Sequence, residues 1–417
     1  MNIIYRFFIN LILLISPIII IFRILRGKEN HLRFKERFSI SSRSRPKGKL
    51  IWFHASSIGE FNSLIPIIEK FQRNSEIKSI LLTTNTLSSA KLIQKLNLKK
   101  TIHQFFPIDS NFVIDKFLDF WNPSALILCE SEIWPNLINN IDKRNIKLIL
   151  INARITAKAF KNWMKISSFA KILFKKFDIC FSQNNETTNY LKTLGAKKIK
   201  NLGNLKYSTS KIQFERKLDI KLIKYFKKRK ILLTSASIHP EEENFSLLNH
   251  LYFKKQKKIK NLLSIIVPRH IENKRQIIAQ AEKLKLKYHL HSSNLKKTEN
   301  IDIYIVDTYG DLQKFYQISN LVFIGGSLIN HGGQNPLEAV KLDCKIIHGP
   351  NIGNFKDIFK TLSSLGLSSK FKTYKAGYKL VENNIKKINS PKSSKKLMSY
   401  GDKILIQIYK EVLKITK

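Results

Sequence analysis

The stretch Phe323-Ile324-Gly325-Gly326-Ser327-Leu328-Ile329-Asn330-His331-Gly332-Gly333-Gln334-Asn335-Pro336-Leu337-Glu338-Ala339 joins a short apolar strand to a helix through a loop with two glycine pairs. Asn335 is a good N-cap residue, and Pro336 fits the first position of a helix. Glycine lets the backbone approach a ligand, and the N–H groups at a helix start attract an anion. Glu338, in the first turn, is placed to contact ligand hydroxyls. The pattern predicts a site for an anionic, nucleotide-like ligand; a tight turn without a ligand is the alternative.

Strand and helix patterns alternate on both sides of this stretch. Apolar runs predict strands at 49–54, 79–83, 125–129, 147–151 and 179–181, and again at 231–235, 262–267, 303–306, 321–324 and 345–348. Helical patterns between them predict βαβ units and parallel sheets. The alternation weakens over the polar residues 207–230, which we interpret as a hinge. We therefore predict an α/β chain of two doubly wound, Rossmann-like domains facing a cleft, with domains at 27–207 and 208–417. The second domain includes a last helix at about 396–415.

The chain starts with an apolar segment. Residues 7–22 are apolar except for Asn10, Ser16 and Pro17, and ten basic residues follow between Arg23 and Lys49. We predict a membrane anchor over 1–26, either a short tilted span or a helix lying in the interface. A buried first helix of a soluble fold is the alternative. The basic residues predict that the bulk of the protein lies on the cytoplasmic side of the membrane.

The net charge of +44 allows two interpretations. One is an anionic partner, such as a phospholipid or a phosphorylated substrate. The other is a compositional bias, because lysine, isoleucine and asparagine are abundant along the whole chain. Zinc-finger spacing and a basic arm with interleaved aromatic residues are both missing, so nucleic acid is not a predicted partner. The three cysteines lie far apart, which predicts neither a disulfide framework nor a metal cluster.

Polar residues follow several predicted strands of the first domain. Glu60 lies just after the first strand, where a carboxylate can act as a general base or cap a helix. Glu130 and Glu132 follow a later strand, and a carboxylate pair usually has a basic partner or a functional role. Arg154 is one candidate partner. Lys206 can place positive charge near a reacting group, or it can be a solvated lysine.

The strand ends of the second domain suggest ligand contacts. Ser237 with the following acids predicts a capped helix start. Arg269 suits a phosphate group, and the turn at 307–312 suits a base or a phosphate. A Walker loop, a metalloprotease helix, a Gly-x-Ser-x-Gly elbow and a kinase motif set are absent from the sequence, as is an Asp-x-Asp metal motif. We interpret the whole pattern as transfer of a group from a nucleotide donor to a lipid acceptor.

The ordered motifs resemble those of the 3-deoxy-D-manno-octulosonic acid (Kdo) transferases of lipopolysaccharide assembly. The matching runs are 52–60, 130–136, 152–154, 203–206, 268–270 and 325–338. The resemblance implies a GT-B glycosyltransferase fold. It also implies inverting transfer of Kdo from CMP-Kdo to the lipid A precursor, lipid IVA, with neither a metal nor another cofactor.

The resemblance further implies roles for individual residues. Glu60 would be the general base, and Glu130 and Lys206 would help to stabilise the transition state. The residues that would hold CMP are Pro268, Arg269, Tyr309, Gly310, Asp311, Asn335, Pro336, Leu337 and Glu338. Three positions depart from the family pattern: Gln334 replaces His, Asp311 replaces Glu and Ser56 replaces Ala.

Two rival functions stay open at the level of the sequence. One is a GT-B glycosyltransferase that uses a different nucleotide-sugar donor. The other is a basic, membrane-associated binding protein without catalysis.

Overall fold

The computed structural model describes residues 2–96, 98–208, 218–293, 300–385 and 393–416. The chain divides into two compact units, the first formed by Met1–Ile212 with Tyr400–Lys417 and the second by Gln213–Ser399. Residues 209–217 of the predicted hinge lie outside the described residues.

The first unit is built on a parallel sheet of seven strands. The strands are β1 Leu50–Ala55, β2 Ser79–Thr84, β3 Thr101–Phe105, β4 Ala125–Cys129, β5 Lys147–Ala153, β6 Ile179–Ser182 and β7 Ile199–Asn201. Their order is β3-β2-β1-β4-β5-β6-β7, so the direction of winding reverses between β1 and β4. Residues that follow β1 and β4 therefore lie side by side at the carboxyl edge, where doubly wound sheets bind ligands.

The central strands of this sheet are mostly apolar because helices of the first unit cover both of its faces. These helices are α1 Asn2–Leu25, α2 Ile58–Gln72, α3 Leu87–Lys95, α4 Asn111–Trp121, α5 Pro135–Lys143, α6 Ala157–Met164, α7 Ser167–Phe174 and α8 Asn185–Thr193. Every residue of β1 and β4 is buried, as expected for strands with both faces covered. On one face, the rings of Trp52 and Phe117 pack with their centroids 4.7 Å apart.

The second unit repeats this architecture. Its strands are β8 Lys230–Ile238, β9 Leu262–Pro268, β10 Tyr288–Leu290, β11 Ile303–Ile305, β12 Leu321–Ile324, β13 Lys345–His348 and β14 Ser368–Lys370. They form a parallel sheet in the order β10-β11-β9-β8-β12-β13-β14, with the reversal between β8 and β12. The helices are α9 Ile220–Lys227, α10 Glu242–Lys255, α11 Lys274–Lys283, α12 Leu312–Tyr316, α13 Leu337–Lys341, α14 Lys356–Ser364 and α15 Tyr374–Ile385.

The predicted α/β class with two doubly wound parallel sheets is confirmed. All ten predicted strands are present, and β4, β12 and β13 have the predicted bounds. The prediction omitted β3, β7, β10 and β14, which are the outermost strands of the two sheets.

The last helix, α16 Ser393–Thr416, differs from its predicted assignment to the second domain. Its residues from Tyr400 onward belong to the first unit. The Tyr409 ring packs edge-on against Phe71 at 5.1 Å, and Glu411 pairs with Lys200 at 2.7 Å. An amphipathic pattern predicts that a helix packs, but it does not specify the surface on which it packs.

Candidate active site

Glu60 lies at the start of α2, directly after β1. The Ser57 hydroxyl caps this helix by accepting the backbone N–H of Glu60 at 3.3 Å. In return, the Glu60 carboxylate accepts the backbone N–H of Ser56 at 2.8 Å and the Ser57 hydroxyl at 3.2 Å. Burial raises the pKa of Glu60 to about 7; the hydrogen bonds oppose this shift, and the charges of Glu132 and Glu130 add to it. A half-buried carboxylate with a near-neutral pKa is suited to accept a proton from a hydroxyl group.

Glu130 follows β4 in a left-handed backbone conformation, with φ of 55°. This conformation is uncommon for a residue with a side chain and often accompanies a functional role. The carboxylate is almost fully buried, and its Oε1 lies 2.6 Å from Lys206 Nζ and 3.4 Å from Asn152 Nδ2. Arg154, one predicted partner of these acids, instead contacts Glu130 through the backbone, N–H to carbonyl, at 3.3 Å. Lys206 is therefore the cation that balances the buried Glu130.

Two asparagines hold the segment that carries Lys206. This residue lies in the 3-10 helix Leu205–Tyr207, which begins after Asn204. The Asn204 side chain accepts the backbone N–H of Lys206 at 2.9 Å, and the Asn152 side chain accepts that of Leu205 at 3.0 Å. Asn152 thus contacts both Glu130 and the backbone next to Lys206, and fixes the two charged groups relative to each other.

Glu132 belongs to a chain of hydrogen bonds that starts in the core. Trp52 donates its indole N–H to the Thr83 hydroxyl at 2.9 Å, and this hydroxyl lies 3.0 Å from His54 Nδ1. On the other side of the imidazole, His54 Nε2 lies 3.2 Å from the Glu132 carboxylate, which also accepts the Trp134 indole N–H at 2.9 Å. These hydrogen bonds fix the Glu132 carboxylate, whose negative charge contributes to the raised pKa of Glu60.

In the second unit, the glycine loop after β12 binds a carboxylate of the protein itself. The side chain of Glu242 accepts the backbone N–H groups of Gly326 at 2.6 Å, Ser327 at 3.0 Å and Leu328 at 2.9 Å. It also accepts the N–H of His239 at 3.0 Å, and it is buried, with 1% of its surface exposed. The backbone N–H groups of residues 326–328 are therefore satisfied by Glu242, whereas the anion site predicted at the start of the following helix stays a prediction.

Glu242 also explains how α10 begins. The sequence predicted Ser237 as the cap of this helix, and that prediction is wrong, because Ser237 lies within β8 with φ of 53°. The residue before α10 is Glu241, which makes no side-chain cap. Glu242 is the acid that bonds the preceding backbone at His239.

The predicted donor-binding residues lie at the carboxyl ends of strands of the second sheet or in the segments that follow them. Pro268 ends β9 and is buried, whereas the side chain of Arg269 is exposed. After β11, Tyr309 is 69% exposed, Gly310 has φ of 85°, and Asp311 pairs with Lys314 at 2.7 Å. Burial opposes ionisation of Asp311, but its hydrogen bonds to Lys314 and Thr308 outweigh this and lower its pKa.

The helix after the glycine loop begins one residue later than predicted, at Leu337. The Asn335 side chain accepts the backbone N–H of Leu337 at 3.1 Å, so it satisfies the helix start as expected from its type. Asn335 and Glu338 are exposed, whereas Pro336 and Leu337 are buried. The two polar side chains are therefore accessible to a ligand, and the two apolar ones position them.

Gln334, one of the departures from the family pattern, contacts a histidine cluster. Its Nε2 lies 3.1 Å from His239 Nε2, and the His239 ring packs against His331 with centroids 4.0 Å apart. Burial lowers the pKa of His239 to about 4, with help from the neighbouring His331, His270 and Arg269. His239 is therefore neutral at pH 7 and accepts a hydrogen bond from the Gln334 amide.

Several of these residues received no role from the sequence. His54 and Asn152 lie inside the matching runs 52–60 and 152–154, and their position at the end of a predicted strand was the available signal. For Glu242, the sequence showed only an acidic residue near a predicted helix start. In the described part of the chain, no group of three or more His, Cys, Asp or Glu side chains is arranged to hold a metal ion.

Comparison with known proteins places the chain in a family. The sequence profile described as 3-deoxy-D-manno-octulosonic-acid transferase (kdotransferase) matches residues 32–209. A 3-deoxy-D-manno-octulosonic acid transferase of Rickettsia bellii is 34% identical over 402 residues, which are 96% of this chain and 94% of the relative. The chain belongs to the Kdo transferase family. A second member, from Haemophilus influenzae, is 30% identical over 409 residues and is covered to 94%. The chain is thus a glycosyltransferase of lipopolysaccharide biosynthesis.

Solved structures confirm the fold. A putative UDP-N-acetylglucosamine 2-epimerase from Listeria monocytogenes superimposes with a TM-score of 0.57 over 88% of this chain and 98% of its own, at 11% identity. At this identity the likeness shows only the fold, which is of the GT-B type. At the N-terminus, Ile3–Leu25 within α1 is long and apolar enough to cross a membrane.

Proposed function

We propose that the protein transfers Kdo from CMP-Kdo to a hydroxyl group of the lipid A precursor, lipid IVA, with inversion at the anomeric carbon. The observation that carries this proposal is the environment of Glu60. In a Kdo transferase, this half-buried carboxylate lies at the carboxyl edge of the sheet, and burial raises its pKa to about 7. Membership of the family supports Kdo as the transferred sugar, and the raised pKa of Glu60 supports this residue as the general base.

In the proposed step, the Glu60 carboxylate removes the proton of the acceptor hydroxyl as its oxygen attacks the anomeric carbon of Kdo. A new C–O bond forms on one face of that carbon. The bond to the CMP phosphate breaks on the other face, and its electron pair leaves with CMP. A single displacement of this kind inverts the configuration, and the proton ends on Glu60.

Glu130 and Lys206 act on the charges that develop in this step. Their ion pair is nearly buried, with 2.6 Å between Oε1 and Nζ, so it keeps its geometry without reorganisation. Fixed charges in such a site stabilise a transition state better than mobile water does. The carboxylate can stabilise positive charge on the sugar carbon, and the lysine can stabilise negative charge on the leaving or acceptor group.

CMP is held in this proposal by the second unit. Pro268 and Arg269, residues 309–311 and residues 335–338 all lie at the carboxyl edge of its sheet. The exposed guanidinium of Arg269 suits the phosphate, and the exposed Asn335 and Glu338 suit polar groups of the nucleotide. The proposed transfer step uses neither a metal nor a further cofactor.

We also propose that α1 keeps the enzyme at the inner membrane, with the catalytic units on the cytoplasmic side. The support is the apolar helix together with the basic segment that follows it. This arrangement brings the enzyme to its lipid acceptor.

The test is product analysis with the purified full chain, CMP-Kdo and tetraacylated lipid A precursor. Mass spectrometry should show the acceptor with added Kdo, NMR should show an inverted anomeric centre, and EDTA should leave the rate unchanged. CMP should inhibit the reaction more strongly than UDP. Absence of Kdo transfer, a retained configuration or a preference for UDP would each contradict the proposal.

A further inference from the structure

One face of α1 packs on the first unit along nearly the whole helix. Ser16 and Ile20 are buried, with 5% and 6% of their surfaces exposed. Tyr5, Ile9 and Leu13 are half-buried. These positions are spaced by three or four residues and therefore form one stripe of the helix. Burial along such a stripe is unusual for a helix that leaves its domain to enter a bilayer.

The amino-terminal end of α1 is fixed to the core of the first unit. The Tyr5 hydroxyl donates a hydrogen bond of 2.8 Å to the Asp109 carboxylate, 104 residues away in the chain. Asp109 is buried and also accepts the backbone N–H groups of Asn136 at 3.1 Å and Leu137 at 2.7 Å. The partner of Tyr5 is therefore an integral part of the sheet-helix core.

The carboxyl-terminal end of α1 is linked to the same region. Arg23 pairs with Glu29 at 3.2 Å, and Glu29 pairs with Arg37 at 3.3 Å. Arg37 in turn donates to the carbonyl of Phe106 at 3.1 Å, three residues before Asp109. Both ends of the helix thus reach the loop after β3.

The remaining faces of α1 are apolar and exposed. The exposed large apolar side chains are Ile3, Ile4, Phe7, Phe8, Leu11, Ile12, Leu14, Ile15, Ile18, Ile19, Ile21, Phe22 and Leu25. Phe112, three residues after Asp109, is 74% exposed, and Leu32 after the helix is 77% exposed. The apolar surface therefore includes residues of the unit beyond the helix.

The charges next to this surface are complementary to anionic lipid headgroups. Between residues 26 and 49 the acids are Glu29 and Glu36, and both are buried. Exposed basic side chains in this segment are Arg26, Lys28, Lys35, Arg43 and Lys47. A basic segment beside an exposed apolar helix is typical of surfaces that bind anionic membranes.

We infer that α1 lies along the membrane surface, with its exposed faces in one leaflet and its buried stripe on the first unit, and does not cross the bilayer. Tyr5 and Arg23 are about 27 Å apart along a straight helix, close to the full hydrocarbon thickness of about 30 Å. A crossing helix would place Tyr5 on the far side of the membrane, away from Asp109. The contact between them is therefore compatible only with an in-plane helix.

This inference rests on the proposed membrane association, and the test separates the two. A short uncharged extension carrying one cysteine is added before Met1 of the full chain, and Lys47→Cys serves as the matched cytoplasmic control. Cys129, Cys180 and Cys344 are buried and give a low background. Both cysteines are first shown to react in detergent, and then an impermeant maleimide is applied to inverted vesicles and to spheroplasts.

An in-plane helix predicts that both cysteines react in inverted vesicles and that neither reacts in spheroplasts. Reaction of the amino-terminal cysteine in spheroplasts alone would overturn the inference and leave the membrane association standing. Recovery of the protein in the soluble fraction after cell disruption would overturn the membrane association itself.

A second measurement addresses the Tyr5 contact directly. Tyr5→Phe removes only the hydroxyl, so hydrogen exchange should become faster in peptides that contain Asp109 and Leu137. Tyr190→Phe is the matched control, because the Tyr190 hydroxyl bonds an exposed Glu186 at 2.8 Å and should leave these peptides unchanged. Equal exchange in Tyr5→Phe and the wild type would contradict a role of Tyr5 in holding the helix.

Discussion

Glu60 in the first unit and Glu242 in the second occupy equivalent points of two similar sheets. Glu60 follows β1 and Glu242 follows β8, and in each sheet the direction of winding reverses at that strand. Glu60 accepts one backbone N–H and one hydroxyl and stays half-exposed. Glu242 accepts four backbone N–H groups and is buried. The two carboxylates therefore differ in the number of donors around them and not in their place in the fold: four backbone donors give Glu242 a structural role, and fewer donors leave Glu60 accessible for its proposed role as the base.

The largest expected effect follows from Glu60→Gln, which keeps the shape of the side chain but removes the proposed base. We expect kcat/KM for Kdo transfer to fall by about 10²- to 10⁴-fold, the usual contribution of a general base. The melting temperature should change little, because a glutamine can still accept the Ser56 N–H. Glu76→Gln, at an exposed position, is the control and should retain full activity. Full activity in Glu60→Gln would show that Glu60 is not the general base, so that its accessibility would not distinguish it in function from Glu242.

Glu242→Gln should have the opposite profile. Hydrogen bonds to a charged group contribute about 1.5–3 kcal/mol each, and an amide would turn a donor toward backbone N–H groups. We expect the free energy of unfolding to drop by at least about 2 kcal/mol, measured by chemical denaturation. The adjacent, exposed Glu241→Gln is the control. Unchanged stability in Glu242→Gln would show that the glycine loop does not depend on this carboxylate.

Two glycines allow the packing around the two glutamates to be compared. Gly59 precedes Glu60, and Gly325 precedes the backbone N–H groups that bond Glu242. At Gly325 an added Cβ would lie 2.2 Å from the carbonyl oxygen of Ser237, so Gly325→Ala should destabilise the fold by about 1–3 kcal/mol. At Gly59, within α2, the nearest atom would lie at 3.9 Å, so Gly59→Ala should stabilise by up to about 1 kcal/mol. Thermal unfolding of the two variants should show a lower melting temperature for Gly325→Ala and a higher one for Gly59→Ala. A similar shift in both variants would contradict the packing described for the two loops.

Glu132→Gln should have the smallest effect, which is a shift in the pH dependence of activity and not a loss of the maximal rate. The negative charge of Glu132 adds to the raised pKa of Glu60, so its removal lowers that pKa. The acid side of the activity profile should move to lower pH, because Glu60 then stays ionised in more acidic solution. The glutamine can still accept hydrogen bonds from His54 and Trp134. An acid side that stays in place or moves to higher pH would contradict the coupling.

The sequence predicted the interior of both sheets and missed their edges. Interior strands such as β4 and β12 are continuous apolar runs, because both of their faces are covered. The outermost β7 and β10 are three residues long and largely half-exposed or exposed, so they carry no such run. Edge strands in general are short and polar, which makes them hard to distinguish from loops.

The candidate site was predictable in its location but not in its contacts. Position after a predicted strand was sufficient to select Glu60 and Glu130, and Lys206 was selected because it lies where the predicted first domain ends; their roles stay predictions until they are tested. The pairing of Glu130 with Lys206 joins residues 76 positions apart, and that of Glu242 with the glycine loop joins residues 84 positions apart or more. Local patterns contain no information on such pairs, so the sequence left the loop open to a ligand anion.

The central claim is that Glu60 is the base, and the pH dependence of kcat/KM for Kdo transfer tests it most directly. In the wild type, activity should rise with pH through about 7, as the buried carboxyl group of Glu60 loses its proton. The residual activity of Glu60→Gln should lack this rise. A rise at the same pH in Glu60→Gln, or a flat profile in the wild type, would contradict the account.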